Sequence, residues 1–576
     1  MEICRFIKQN YNFNHPDFEF ILYLLEKWIS YNIPNISVYL DNHLYEKNGL
    51  YSSINKTKTI YGDIILQSYL LHVEQNIKEL QRRQELIKYF NHIHEEVDIF
   101  LDEVKHNSDD LIWLWKKKND EEQKGLNFIY FSKGILMSLN HFLPALQISN
   151  ILKLYINPIQ TIISPIFIML IPFLVLRKQL GLQISFFSYC KFLKNILFKP
   201  MFRLSSKSEF LHLFTTLFSY GFSLYNLYSN CKMINDITNL LHKKLALLND
   251  IIHKCRQWKI KIPQHLRYLI DPNNDIDNDT IFNNASIFKN KPGYFNDKGK
   301  IAYIYYQFSL LNEKYIPYLS IIGRIDLFNS LSKLSGEYYF TKYYQNKKPI
   351  LWIKDIWHPT IGREKSIKNS IVMGKDKNHI LLTGPNASGK STFIKNVLIC
   401  ILLSQTIGLS PCKEIKMTPF YYVNSYIEIP DKEGYESLYQ AEINRCYQLL
   451  GDIEGYGKRG LFSFIIMDEI FNSTNYIEAI SAAYSICYYL SKSDLLLSII
   501  TTHYGYLTNI EDDCKRIKNY KMNLERKDGE IIFKYKISRG ISNEYIALEL
   551  FKNKNFAPKI VEKAYLIQEK IKDKFK

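Results

Sequence analysis

Residues 378–392 read NHILLTGPNASGKST, an apolar run that ends in a glycine-bracketed loop and a lysine–serine pair. The stretch His379–Thr383 is short, apolar and without helical periodicity, which suits a buried parallel strand. Residues 391–407 then carry apolar side chains at helical spacing. Between strand and helix, Gly384 and Gly389 bracket Pro385, Asn386, Ala387 and Ser388, so that backbone N–H groups converge on phosphate oxygens at a helix N-terminus. In such a loop Lys390 reaches the β- and γ-phosphates and the Ser391 hydroxyl holds Mg²⁺. Residues 384–392, Thr392 included, are therefore candidate contacts for ATP, with Mg²⁺ as its companion. An ordinary glycine-rich turn is the bland alternative, and the flanking strand and helix weigh against it.

Two more apolar runs end in chemistry. Residues 461–467 (LFSFIIM) close on Asp468 and Glu469. A carboxylate at the end of a buried strand can hold the Mg²⁺ shell, and the next one can orient or deprotonate the attacking water. Asp468 takes the first role and Glu469 the second; two acids capping the next helix is the alternative. Residues 495–501 (LLLSIIT) lead into Thr502, His503 and Tyr504. In open parallel sheets ligands bind beyond the carboxyl ends of the strands, so His503 is placed to sense the γ-phosphate.

A chain of 576 residues and 68.3 kDa is too long for one core, and two to four domains are expected. Its formal charge of +17 favours a polyanionic partner, either nucleic acid or an anionic membrane surface. Part of the lysine excess belongs to a composition crowded with Asn, Ile and Tyr. The cysteines stand singly, with no CxxC and no Cys/His cluster at metal spacing, as reduced thiols do. The first twenty residues lack the uninterrupted apolar segment of a secretory signal, so an intracellular protein, of cytoplasm or nucleus, is expected.

Up to about residue 50 the chain is aromatic-rich and broken at Pro16 and Pro34. Helical patterns follow at residues 61–105, across most of 127–260 with a long pattern at 223–258, and at 301–334, with a polar, loop-like stretch at 271–299. Residues 154–176 contain no charged side chain and are long enough to cross a bilayer, yet Pro158, Pro165 and Pro172 fit broken buried helices. Core packing is the preferred reading there, with membrane contact kept open. Residues 348–353 begin the nucleotide-binding part.

Taken together, these motifs resemble the DNA mismatch-repair ATPase family MutS, whose ATPase is of the ABC class. Trp357-His358-Pro359 is similar to the family's His-Pro motif, residues 384–392 to its phosphate loop, Asp468-Glu469 to its acidic strand end and Thr501-Thr502-His503-Tyr504 to its histidine switch. Residues 437–443 (SLYQAEI) resemble the segment whose serine, here Ser437, reaches across a dimer to the other subunit's ATP. Residues 534–564 look like its C-terminal helical dimerisation segment, and residues 55–90 like the start of its helical lever.

The resemblance implies a mixed α and α/β chain: a short N-terminal segment (1–50), a mostly helical lever region (51–345), and an ABC-type P-loop ATPase domain with C-terminal dimerisation helices (346–576). It implies a homodimer, or a heterodimer with a related subunit, that clamps duplex, branched or mismatched DNA under ATP control in mismatch repair or recombination. The alternative is a membrane-associated ABC-type ATPase with no repair role, anchored through residues 154–176. Ala387-Ser388 stands where the family usually has Met-Gly, and residues 472–475 read Asn-Ser-Thr-Asn in place of Arg-Gly-Thr-Ser. Phe18-Glu19-Phe20 lacks the spacing of the Phe-x-Glu mismatch wedge. The expected relative is thus a divergent member without the N-terminal mismatch-binding domain, reading DNA shape over base edges.

Overall fold

The computed structural model describes residues 7–8, 17–29, 49–127, 185, 187–188, 191, 207–274, 281–282, 288, 298–427, 438–527, 530–542 and 557–574. Helices dominate its first half: α1 (Phe18–Ile29), α2 (Ile60–Leu71), α3 (Ile77–His106), α4 (Lys207–Lys261) and α5 (Ile316–Leu334). Strands and helices alternate in the second. In order they are β1 (Tyr339–Phe340), β2 (Lys342–Tyr343), β3 (Leu351–Ile356), β4 (Asn369–Met373), β5 (His379–Thr383), α6 (Lys390–Thr406), β6 (Leu409–Ser410) and β7 (Glu414–Met417). Then come β8 (Tyr422–Tyr426), α7 (Leu438–Lys458), β9 (Ser463–Met467), α8 (Tyr476–Leu490), β10 (Leu496–Thr502), β11 (Ile517–Lys527), β12 (Glu530–Arg539) and α9 (Pro558–Lys574). The fold is therefore mixed helix and sheet.

Two compact units emerge, one of residues 1–106, 259–274 and 316–576, the other of residues 107–258 and 275–315. The first unit is built on a six-stranded sheet of order β12-β11-β5-β10-β9-β8. From β11 to β8 all neighbours are parallel, and β12 returns antiparallel to β11. Every residue of β5, β8, β9 and β10 is buried, as continuous apolar strands require when helices cover both faces. On one face Leu449 and Ile453 of α7 and Ala479, Ala483 and Cys487 of α8 share a core with Ile465, Met467 and Ile500. Register sets the functional edge. Thr502 lies opposite Thr383 and Ile500 opposite Met467, so β5 and β10 finish together and β9 two residues earlier, at the same edge.

The same unit holds α2, α3 and α5. Asp326 of α5 accepts hydrogen bonds from the Lys58 and Thr59 N–H groups and the Thr59 hydroxyl, and Thr59 caps α2. A Cβ on Gly323 would lie 2.7 Å from both the Tyr61 carbonyl oxygen and Ile65, so only glycine lets α5 approach α2 this closely. From α3, Arg83 donates to the Thr406 carbonyl at 2.8 Å and Gln84 to that of Gly408 at 2.9 Å, gripping the end of α6. The division expected at 345/346 therefore differs from the packing, which joins helices on both sides of it to the sheet.

In the second unit Leu111, Ile112, Leu241, Leu245 and Phe308 are buried, and Lys243 and Lys244 both pair with Asp110 at 2.6 Å. Trp115 donates to the Asn312 carbonyl at 3.1 Å.

Where local patterns were read alone, three differences appear. The helical stretch at 61–105 is two helices, because residues 72–76 bend away to bond α6: the Glu74 N–H donates to the Gln405 carbonyl at 2.8 Å, and the Gln405 amide returns to Glu74 at 3.0 Å. Residues 223–258 belong to the longer α4. The helical reading of 534–564 is corrected at its start. Residues 534–539 are strand, since IIFKYKISR alternates with period two and pairs with β11 from Tyr520↔Arg539 to Lys527↔Glu530. Residues 543–556 lie outside the described residues, as does the uncharged segment 154–176. Among the described residues no helix is long and apolar enough to cross a membrane.

Candidate nucleotide site

Directly after β5 the chain turns through the glycine-bracketed loop and enters α6. Ala387 and Gly389 both take left-handed backbone angles, with φ of 63° and 93°. For alanine that conformation needs surrounding support, and the turn it makes gathers amide hydrogens into a concavity. Inside the loop the Ser388 hydroxyl is buried and has no hydrogen-bond partner among the described residues. A Cβ on Gly384 would lie 2.9 Å from that hydroxyl and 3.1 Å from Met522.

Lys390 is buried, its ammonium donating to the Gly384 carbonyl at 2.9 Å and the Pro385 carbonyl at 3.3 Å. Glu469 stands 3.7 Å away and His503 Nε2 3.3 Å away. Burial holds the lysine below its ordinary pKa, opposed by the charges of Glu469 and Asp468.

The acidic pair follows β9. Asp468 donates its N–H to the Tyr426 carbonyl at 2.9 Å, and its carboxylate accepts from the Thr501 hydroxyl. Glu469 is left-handed at φ 50°, and its carboxylate meets His503 Nε2. That contact uses an Nε2–H, so the nearby Lys390 is juxtaposed with the imidazole and does not bond it. The His503 bond holds Glu469 below its ordinary pKa; burial opposes this, and the His503 and Lys390 charges reinforce it.

A cavity of about 730 Å³ opens over these groups. Asn386, Ala387, Ser388, Gly389, Lys390, Ser391, Thr392 and Glu469 line it, all of them site residues expected from the sequence. Gly384 and Pro385 lie beneath Lys390, while Asp468 and His503 join the constellation through Thr501 and Glu469. Ser437 lies outside the described residues.

Apart from His358 of the His-Pro motif, a further wall was missed. It consists of Ile361, Lys365, Ile367 and Asn369, with Phe533 and Tyr535 from β12. Phe533 and Tyr535 stack at 6.0 Å, and the Tyr535 ring lies 3.0 Å from where a Cβ on Gly389 would stand. Asn369 fixes this wall, donating to the Tyr535 carbonyl at 2.9 Å and accepting the Ile537 N–H at 3.0 Å. His358 Nδ1 sits 2.8 Å from the Thr360 hydroxyl, and burial and Lys395 keep its pKa low. The period-two alternation of residues 531–539 was the available signal for the β12 wall.

These residues fit a nucleoside triphosphate with Mg²⁺. The left-handed turn, the orphaned Ser388 hydroxyl and the buried ammonium suit phosphate oxygens, and Ser391 and Asp468 are the hard oxygen donors that Mg²⁺ prefers.

The class that this geometry defines is a mainly parallel α/β domain with a glycine-bracketed loop at the carboxyl edge of its sheet. Residues 380–572 match the family model for MutS domain V. The DNA mismatch repair protein MutS of Carboxydothermus hydrogenoformans is 27% identical over 262 residues, which cover 44% of this chain and 30% of that protein. Those of Persephonella marina (28% identical, 43% of this chain and 28% of the relative) and Clostridium novyi (29%, 40% and 26%) are similar to the chain in the same way. Over residues 380–572 the chain is therefore similar to the MutS family. Its match spans less than a third of the length of these relatives.

Proposed function

We propose that this chain is an ATPase of ABC type that binds and hydrolyses ATP at the carboxyl edge of its main sheet and uses the cycle to hold and release DNA in mismatch repair or recombination. The observation that carries the reading is the convergence of Lys390, Glu469 and His503 beside a left-handed phosphate-type loop. Lys390 exchanges its two carbonyl contacts for the β- and γ-phosphate oxygens. Glu469 turns from His503 to orient the attacking water, and His503, released from the carboxylate, bonds the γ-phosphate. Ser391 and Asp468 would hold Mg²⁺, which would supply charge neutralisation on the phosphates. Tyr535, Ile361 and Ile367 supply an apolar wall for the base. In this reading the active form is a dimer, and Ser437 of the partner subunit completes the site.

DNA as the partner draws support from the +17 charge and from relatives that bear the name DNA mismatch repair protein. Phosphate contacts would make affinity fall steeply with salt. The experiment measures hydrolysis by the 576-residue chain with Mg²⁺ or EDTA, with and without DNA, over a range of protein concentrations, and DNA binding over a range of salt. Mg²⁺-dependent turnover that rises with dimer concentration is expected. Absence of hydrolysis in every arm overturns the ATPase, a rate per chain independent of concentration overturns the dimer, and no DNA binding at low salt overturns the partner.

A further inference from the structure

Asp468 and Glu469 are neighbours in sequence, yet the Asp468 carboxylate meets the Thr501 hydroxyl while that of Glu469 meets His503 and lies 3.7 Å from Lys390. What separates them is a single hydroxyl on the adjacent strand. Thr501, next to last in β10, donates from Oγ1 to Asp468 Oδ1, and the same oxygen accepts the Glu469 N–H at 3.1 Å. The Thr501 carbonyl lies 3.3 Å from that N–H. Thr501 is fully buried and paired with Leu382 of β5, so the strand register leaves its hydroxyl little freedom. A hydroxyl that donates to one group while accepting from another polarises both bonds.

We propose that Thr501 is a positioning residue for the ATPase reaction: it engages one oxygen of Asp468, leaving Oδ2 for the metal shell, and it supports Glu469 in a left-handed conformation that non-glycine residues rarely adopt. The inference rests on the Mg²⁺-ATPase reading given above. Valine at 501 keeps the β-branched shape and removes the donor, leaving Asp468 free to rotate and Glu469 with a single long backbone bond. Serine keeps the hydroxyl and drops the methyl.

The test compares Thr501→Val, Thr501→Ala and Thr501→Ser in the full chain by thermal unfolding without nucleotide, with ATP and EDTA, and with ATP across a Mg²⁺ titration, alongside kcat and KM. Thr501→Val and Thr501→Ala are expected to keep the stabilisation by metal-free ATP and to need at least tenfold more Mg²⁺ for the half-maximal further gain. Their kcat falls at least tenfold while KM for ATP stays within threefold, and Thr501→Ser stays within threefold of wild type throughout. An unchanged Mg²⁺ requirement in Thr501→Val, or a serine variant as impaired as the valine one, overturns the assignment. So does failure of both Thr501→Val and Thr501→Ala to fold while Thr501→Ser folds, because the hydroxyl is then architectural. A wild-type chain that shows no stabilisation by ATP and no hydrolysis overturns the nucleotide reading itself, and this assignment with it.

Discussion

Two sets of carboxylates in the first unit meet opposite surroundings. At the sheet edge Glu469 faces an imidazole and an ammonium, which hold its pKa below the ordinary value despite partial burial. At the junction of α2 and α5, Asp63 and Asp326 meet amides and hydroxyls, and burial pushes each up to about 6. Asp326 accepts the Thr59 N–H and hydroxyl, both at 2.7 Å, while Asp63 accepts from Asn55 at 2.7 Å and from Tyr51. The neutral donors at the helix junction, with the charge of Lys333 near Asp326, only partly offset the desolvation of a carboxylate, whereas the His503 and Lys390 contacts at the sheet edge outweigh it. The sheet edge thus keeps ionised groups that a triphosphate can redistribute, and the helix junction keeps acids that readily neutralise.

The sharpest way to break the comparison is Glu469→Gln, which keeps size and removes the charge that His503 and Lys390 surround. If Glu469 orients water, kcat falls about 100-fold or more while ATP affinity stays within about threefold. Turnover within fivefold of wild type would reduce Glu469 to a structural partner of His503. Lys390→Ala removes the cation instead. Loss of charge-assisted bonds to phosphate weakens ATP binding by about 10- to 100-fold, read by titration with a fluorescent ATP analogue. Smaller again is Tyr535→Ala on the β12 wall, which raises KM for ATP about 3- to 10-fold with little change in kcat, since it belongs to the apolar wall proposed for the base. A fall in kcat without a rise in KM would place Tyr535 among the groups that support the loop.

Much of the sheet edge was legible in the sequence because each central strand is a continuous apolar run whose chemistry begins where the run stops. His379–Thr383 is strand as read, and β9 and β10 lie within a residue or two of their apolar runs. Parallel register then aligns three chain segments without any further signal. Features that depend on distant partners were not legible. Arg83 and Gln84 look like solvated members of an amphipathic helix, and their carbonyl partners lie 323 and 324 residues away. Tyr535 sits in a lysine-rich hairpin strand at φ 50°, and its place over Gly389 follows from pairing with β11. Thr501 was one more residue of a buried run until β9 came to lie beside it.

The smallest expected effect sharpens the other half of the comparison. Asp326 titrates near 6 in the folded chain and near its ordinary 3.8 when unfolded, so between these values the folded state holds a proton that the unfolded state has released. Unfolding then releases protons, and stability falls as pH rises through the window, levelling off above the folded pKa. Asp326→Asn keeps one acceptor for the Lys58 and Thr59 amides but cannot titrate. Its deficit relative to wild type, measured by urea unfolding, should therefore be greater at pH 5 than at pH 7 by about 1 kcal/mol. The charge of Asp326 also helps to raise Asp63, so removing it weakens the same slope at the neighbouring acid and adds to the difference in the same direction. Equal deficits at the two pH values would mean that the α2–α5 junction keeps its carboxylates ionised as the sheet edge does, and the contrast between the two regions would be lost.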